Sequence, residues 1–280
     1  MKKTKSASDT LLSVIKYILL TFIMIIVLFP LIWLAISAFK MEKEIISFPP
    51  SVLGTKYTLK SFERIFSSIP MAKYIKNTVI FALGSTFLSV MFDSMTGYAF
   101  ARLNFKGKHI LFILVLLTMM VPFQVMMIPL FLESNALGLL DTYIGLILPK
   151  ATSAFGIFMM RSYFASLPKE LEEAGRIDGL SEFGIYWKIM FPLVIPGVLT
   201  LTIFHLMNNW NDLLYPLMMT SSTQMRTLSA GLALFVGDHA TTYYGPQLAG
   251  ALLSVLPLLI IYIFFQKYFI TSVTTSGMKE

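Results

Sequence analysis

Long apolar runs alternate with short polar stretches along this 280-residue chain. Six of the runs reach the length of about 20 residues that a helix needs to cross about 30 Å of hydrocarbon. They lie near residues 17–39, 75–101, 109–132, 143–165, 193–214 and 248–270. Backbone groups find no water at that depth, so helices are the natural spanning form. The runs are too long and too uniformly apolar for the alternating strands of a membrane barrel. The pattern predicts an all-α, polytopic membrane protein with about six transmembrane helices. Pro30, Pro122, Pro129, Pro149, Pro196 and Pro257 fall inside or at the edges of these spans and predict kinks.

One stretch breaks the pattern. Residues 167–192, LPKELEEAGRIDGLSEFGIYWKIMFP, hold five of the fifteen acidic residues: Glu170, Glu172, Glu173, Asp178 and Glu182. This segment belongs outside the hydrocarbon. Pro168 suits a first helical position, and the three glutamates that follow favour the positive end of a helix dipole. Gly179 fits a helix stop and Ser181 the N-cap of a second helix, running through Trp187 to about Met190 before Pro192. Leu171, Ala174, Gly175 and Leu180 leave a small apolar surface on the first helix. Two readings stand: a charged hairpin that docks a soluble partner, or an amphipathic hairpin lying on lipid headgroups. The acidic bias favours docking, because lipid-surface helices are usually rich in Lys and Arg.

Composition supports the membrane class. Apolar residues make up 56% of the chain and charged residues 13%, against roughly a quarter charged in soluble domains. There is no cysteine, which excludes disulfides and thiolate metal sites. The net charge of +7 reads as anchoring to anionic lipid. No basic run is interleaved with aromatics, so nucleic acid is not expected as a partner. The first span, after MKKTK, is too long for a signal-peptide core and reads as an uncleaved anchor.

Lys2, Lys3 and Lys5 precede the first span, and Arg102, Lys106 and Lys108 follow the second. The loop at 133–142 has no basic residue and the loop at 215–247 only Arg226. Positive charge on the inner side then places both termini and the hairpin in the cytoplasm. The expected organisation is a cytoplasmic tail over 1–16, a membrane domain over 17–270 and a cytoplasmic tail over 271–280. Residues 40–76 dissent, with seven basic residues on the outer side that Glu42, Glu44 and Glu63 partly balance. A short helix is expected around Tyr57–Ile65. The outer segments 40–74 and 215–247 read as a cap over the bundle or a surface for an external partner.

The string Glu173-Ala174-Gly175-Arg176-Ile177-Asp178-Gly179, then nine residues, Ile189, one residue, and Phe191-Pro192, resembles the EAA motif. That motif is typical of permease subunits of binding-protein-dependent ABC importers: Glu-Ala-Ala, three residues, Gly, nine residues, Ile, any residue, Leu-Pro. Gly175 replaces the second Ala and Phe191 the Leu. Asn77-Thr78, Ala99-Phe100-Ala101-Arg102, Leu137 to Thr142 and Trp210-Asn211-Asp212 are similar to the sugar-importer branch, in particular its smaller six-span subunit. The resemblance implies a bacterial inner-membrane subunit and three partners: a second EAA permease, a cytoplasmic ATPase dimer and an extracellular or periplasmic sugar-binding protein. It implies that the hairpin is a coupling helix, with Glu173, Ala174, Gly175, Asp178, Gly179, Ile189 and Pro192 as the coupling set and Glu173 paired to a basic residue of the ATPase. Ser276-Gly277-Met278-Lys279 resembles a tail that reaches toward that dimer. No GxxxxGK[ST] loop is present, so the chain is not expected to hydrolyse ATP or to bind a cofactor; ATP and Mg²⁺ would sit on the partner.

The candidate translocation path comes from the residues themselves. His205, Asn208, Asn209 and Asp212 recur at i, i+3, i+4 and i+7 on one face of the fifth span. They read as a path lining that suits sugar hydroxyls, or as a polar helix end at the interface; no metal site is expected from them. Asp93, inside the second span, would line the path or bond locally to Ser94 and Thr96, and no charged partner is evident. The absence of such a partner counts against the alternative function, a stand-alone secondary transporter.

Overall fold

The computed structural model describes residues 7–239 and 243–276, with side chains placed over 11–236 and 243–264. Among the described residues the secondary structure is helical, apart from one isolated antiparallel bridge between Lys40 and Tyr57. The elements are α1 Ala7–Ala38, α2 Glu42–Ile45, α3 Lys60–Ser68, α4 Met71–Arg102, α5 Lys108–Thr118, α6 Phe123–Ala136, α7 Tyr143–Ile147, α8 Ala154–Ala165, α9 Glu170–Ile177, α10 Glu182–Ile185, α11 Phe191–Leu193, α12 Ile195–Asn211, α13 Leu214–Met219, α14 Leu228–His239 and α15 Tyr244–Ser276. A 3₁₀ turn, Leu148–Lys150, joins α7 to the Ser153 cap of α8. A π turn, Tyr186–Met190, joins α10 to α11. The chain forms two compact units: one from the residues up to Ile69 with Leu234–Leu256, the other from Pro70–Ala233 with the residues from Pro257.

Among the described residues three helices are long and apolar enough to span on their own: Leu11–Ala38, Met71–Arg102 and Tyr244–Phe264. The other three expected spans are broken. α5 and α6 meet at 100°, the α7 segment and α8 at 46°, and the Glu182–Leu193 segment and α12 at 81°. Each break has a local cause. Pro122 is the N-cap of α6 with extended backbone, so the chain must leave the helix before it. Ser153, also extended, caps α8 by accepting from the Gly156 amide at 2.9 Å. Val194 (φ −98°, ψ 10°) leaves the helical region just before Ile195 and Pro196 open α12. Pro30, Pro129 and Pro257 sit inside helices that continue through them.

In the first unit, α1 is apolar on nearly every face beyond Lys16, and the described residues leave its apolar side chains bare from Leu11 to Ile32, the state of a helix whose cover is lipid or another protein. The expected helix near Tyr57–Ile65 is α3, beginning at Lys60. In the second unit, α4 is the central post. α8 and α12 pack along it, and Tyr98, Met160, Phe164, Ile185, Tyr186, Met190, Val194, Val198 and Leu201 form one core at the end that carries the 167–192 hairpin. Phe81, Leu146, Tyr215 and Met219 form a smaller core toward the opposite end of α4.

The strings that resemble the sugar branch are internal clamps here. Asn77 Nδ2 donates to the Gln224 and Arg226 carbonyls at 2.9 Å each, and its Oδ1 accepts from Tyr143 Oη at 2.7 Å. Thr78 Oγ1 accepts from the Leu228 amide at 2.7 Å. Asp141, at φ 55°, accepts from the Ser221 and Ser222 amides at 3.0 Å each. Buried polar groups need such partners, and these fix the 220–228 segment onto α4 and the loop before α7.

Candidate functional site

The hairpin is two short helices with a closed turn. Lys169 takes the first backbone bonds, from the Glu172 amide at 3.0 Å and the Glu173 amide at 3.2 Å, so Pro168 falls one residue outside the start rather than at the first helical position. At the other end Leu180 N–H reaches the Gly175 carbonyl at 3.0 Å and Gly179 N–H reaches Arg176 at 3.1 Å. This is a Schellman stop, with Gly179 at φ 77°. Ser181 then caps α10 through the Gly184 amide at 3.2 Å, as its position suggests. The second helix does not end before Pro192. The π turn leaves Pro192 in a new short turn at the start of α11, where its missing N–H does no harm.

The two faces of α9 differ sharply. Gly175 is buried, and a Cβ there would stand 2.8 Å from Ile189 Cδ1 and 3.1 Å from Ile185 Cγ1. The two motif positions Gly175 and Ile189 therefore hold the hairpin's own helices together. Leu171 and Leu180 also pack inward, against the core. Of the apolar surface expected on this helix only Ala174 faces out. Its exposed companions are Glu173, Asp178, Gly179 and, at 86% exposure, Ile177. The 3.6-residue period puts 173, 174, 177 and 178 on one stripe.

Behind that stripe lies a charge chain, buried at one end and exposed at the other. Glu172 and Arg102, the last residue of α4, are each only 5% exposed at the side chain, with Oε1 and Nε 3.0 Å apart. The two atoms are at ion-pair distance but off line for a hydrogen bond. Arg102 also donates to the Leu167 carbonyl. Arg176 lies 3.6 Å from the other Glu172 oxygen and grips Glu182 with Nε at 2.8 Å and Nη2 at 3.3 Å. The base of the hairpin is thus tied to α4 and its two helices to each other. A cavity of about 790 Å³ opens beside it, with Arg102, Phe105 and Lys108 on one side and Glu173, Arg176 and Glu182 on the other.

Asp93 is fully buried, and its partners differ from those its sequence neighbours suggest. Its carboxylate accepts from Thr152 Oγ1 at 2.7 Å, the Ser153 amide at 2.8 Å and Ser153 Oγ at 3.0 Å. His205 Nε2 lies 3.0 Å from Oδ2, so Asp93 does have an ionisable partner. Ser94, one residue on, points elsewhere and accepts from Tyr186 Oη at 2.9 Å. Adjacent positions on a helix do not share a face.

The 205–212 stripe also divides. His205 and Asn209 are buried, Asn209 donating to Thr86 Oγ1 at 3.3 Å. Asn208 is exposed. Asp212 ends α12, pairs with Lys150 Nζ at 2.7 Å and accepts from the Tyr215 amide at 3.2 Å. His205 and Asp212 are thus engaged by different partners and do not converge.

The sequence pattern of the family described as "Binding-protein-dependent transport system inner membrane component" matches residues 93–275. An arabinooligosaccharides transport system permease protein of Halalkalibacterium halodurans is 38% identical over 98% of this chain and 99% of its own length. The chain belongs to this family. It is a multi-pass membrane permease of the ABC-importer type and not an enzyme. A trehalose/maltose transport system permease protein of Thermococcus litoralis is 32% identical over 91% of this chain and 92% of that protein. A chain in the crystal structure of a bacterial ABC transporter involved in the import of the acidic polysaccharide alginate superposes with a TM-score of 0.82 at 25% identity, covering 96% of this chain and 100% of that one.

Sequence reasoning about this permease missed Glu172, Arg102 as its partner, Ile177, and the pairing of Asp93 with His205. For Glu172 a signal existed. It lies one position after Leu171 and three before Gly175, on the inward side of the helical period, whereas Glu173 does not. For Asp93 and His205, 112 residues apart, no local signal exists.

Proposed function

We propose that this permease is one of two different membrane subunits of an ATP-driven importer, forms half of a translocation path for a carbohydrate, and is driven through its 167–192 hairpin by a separate ATPase dimer. The observation that carries this reading is the stripe Glu173, Ala174, Ile177 and Asp178. It leaves an apolar knob and two carboxylates bare on a hairpin whose other side is locked to α4. A rigid exposed knob transmits a partner's movement to the attached helices as a rigid-body shift. Contact that differs between the partner's two states lets ATP bias the opening.

In this reading Glu173 meets a basic residue of the ATPase, while Gly175, Gly179, Ile189 and Pro192 shape the hairpin that presents it. ATP and Mg²⁺ belong to that partner. The hairpin and both termini face the cytoplasm, in keeping with the basic residues near them. An external sugar-binding protein delivers the cargo. The names of the relatives, which concern arabinooligosaccharides and trehalose or maltose, support an oligosaccharide. The Ser276–Lys279 tail has its last three residues outside the described ones.

Two experiments test the proposal. Purification of the tagged protein in mild detergent from cells expressing its own operon should bring down an ATPase, a second permease and a binding protein; recovery alone would refute the assembly. Glu173→Lys should abolish uptake with membrane insertion intact, and normal uptake would remove Glu173 from the contact.

A further inference from the structure

Two cationic side chains and a histidine meet without a carboxylate where α4, α5 and α8 come together at the hairpin end. Lys108, His109 and Arg161 line a cavity of about 190 Å³ whose remaining lining is Phe100 and Phe112. Arg161 lies over the Phe112 ring, 4.3 Å from its centroid, and Phe112 packs against Phe100 at 5.4 Å. Lys108 Nζ caps the end of α4 through the Leu103 carbonyl at 2.8 Å and the Ala101 carbonyl at 3.4 Å, which leaves it a further donor. Among the described residues Arg161 has no hydrogen-bond acceptor and no ion-pair partner, although its guanidinium carries five N–H donors. Arg161 is half-buried, so those donors are open to water or to an anion that enters the cavity.

The surface beside the cavity indicates where that anion comes from. α5 runs away from His109 with Ile110, Leu114 and Leu117 exposed at 65%, 52% and 49%. No other part of the described chain covers this ridge, which continues directly from the cationic cavity. A phosphate held by Lys108 and Arg161, with His109 as a neighbouring hydrogen-bonding group, would therefore have apolar surface beside it of the length and character that acyl chains cover. Arg matches phosphate oxygens with paired N–H donors, and basic pockets between membrane helices hold lipid headgroups.

We propose that the cavity formed by Lys108, His109 and Arg161 is a binding site for the phosphate of an anionic phospholipid, whose acyl chains lie along α5. The site joins the loop after α4, which carries the hairpin's anchor Arg102, to the fourth span. A lipid seated there would brace the hairpin's attachment from the membrane side.

Native mass spectrometry of the purified full-length chain, titrated with phosphatidylglycerol and separately with phosphatidylcholine, tests this. The wild type should hold one phosphatidylglycerol more tightly than any phosphatidylcholine. Arg161→Gln should weaken that retention by about tenfold or more, about 1.4 kcal/mol. Lys106→Gln removes a charge from the same loop without touching the cavity and should change nothing. His109→Gln, at an exposed position, should give a smaller loss and serves if Arg161→Gln does not fold. Equal retention of the two lipids, unchanged retention in both cavity variants, or an equal loss in Lys106→Gln would overturn the site. Displacement of the lipid by inorganic phosphate, which then remains bound, would make this a free-phosphate site and overturn the lipid assignment.

Discussion

Glu172 and Glu173 are neighbours in sequence with opposite surroundings. Glu172 is buried against Arg102, and Glu173 stands in solvent on the outward stripe. Removing one member of a buried pair leaves the other charge desolvated, at a cost of about 3–5 kcal/mol. Removing an exposed carboxylate costs within about 0.5 kcal/mol. Glu172→Ala should therefore lower the thermal midpoint of the purified permease markedly, and Glu173→Ala should leave it in place. Equal shifts in unfolding scans would show that the two residues are not divided in this way. The proposed ATPase contact predicts the converse for uptake: Glu173→Ala should lower it at an unchanged midpoint, and Glu172→Ala should lower it only as far as it loosens the fold.

At the scale of elements, the hairpin depends on its turn. Gly179 at φ 77° closes α9, and an L-residue in that region costs about 1–2 kcal/mol. Gly179→Ala should loosen the 167–192 segment and speed its amide exchange, with α4 and α8 unchanged; unaltered exchange would show the turn to be unstrained. At the opposite end, the Asp141 clamp makes a pH-dependent link. Burial raises the Asp141 carboxyl, but the bonds donated by Ser221 and Ser222 outweigh it and hold it below its ordinary value. A lowered folded value means that the clamp stabilises fully above the unfolded carboxyl range, about 3.9. That stability is lost as pH falls through the lower folded value. Unfolding midpoints measured from neutral pH downward should fall across that window in the wild type. The fall should be shallower in Asp141→Asn, and identical profiles would remove Asp141 as the cause.

For the whole molecule, the question is which surfaces are left for other chains. Ile177 is 86% exposed and touches no core. Ile177→Lys should cost the isolated permease nothing measurable in unfolding scans. It should nevertheless cut recovery of the ATPase in affinity purification and reduce uptake with it. Full recovery of the ATPase would mean that α9 docks by another face. α1 is a second bare surface: its apolar side chains from Leu11 to Ile32 are left uncovered by the described residues and are open to lipid or to another protein.

Much of this permease is written locally in its residues. Spans follow from run length, because hydrocarbon thickness sets a minimum helix. The hairpin follows from a cluster of charge that lipid excludes. The Gly179 stop and the Ser181 cap follow from backbone chemistry confined to a few residues. What the local pattern leaves open is which side of each helix faces inward and where the spans break. In a soluble helix polarity separates the two sides. In a membrane span lipid and core are both apolar, so the period fades. Only packing decides that Asp93 meets His205, 112 residues away, that Glu172 rather than Glu173 reaches Arg102, and that Asn209 turns in while Asn208 turns out. These contacts join helices that lie far apart in sequence, and no sequence window contains both partners.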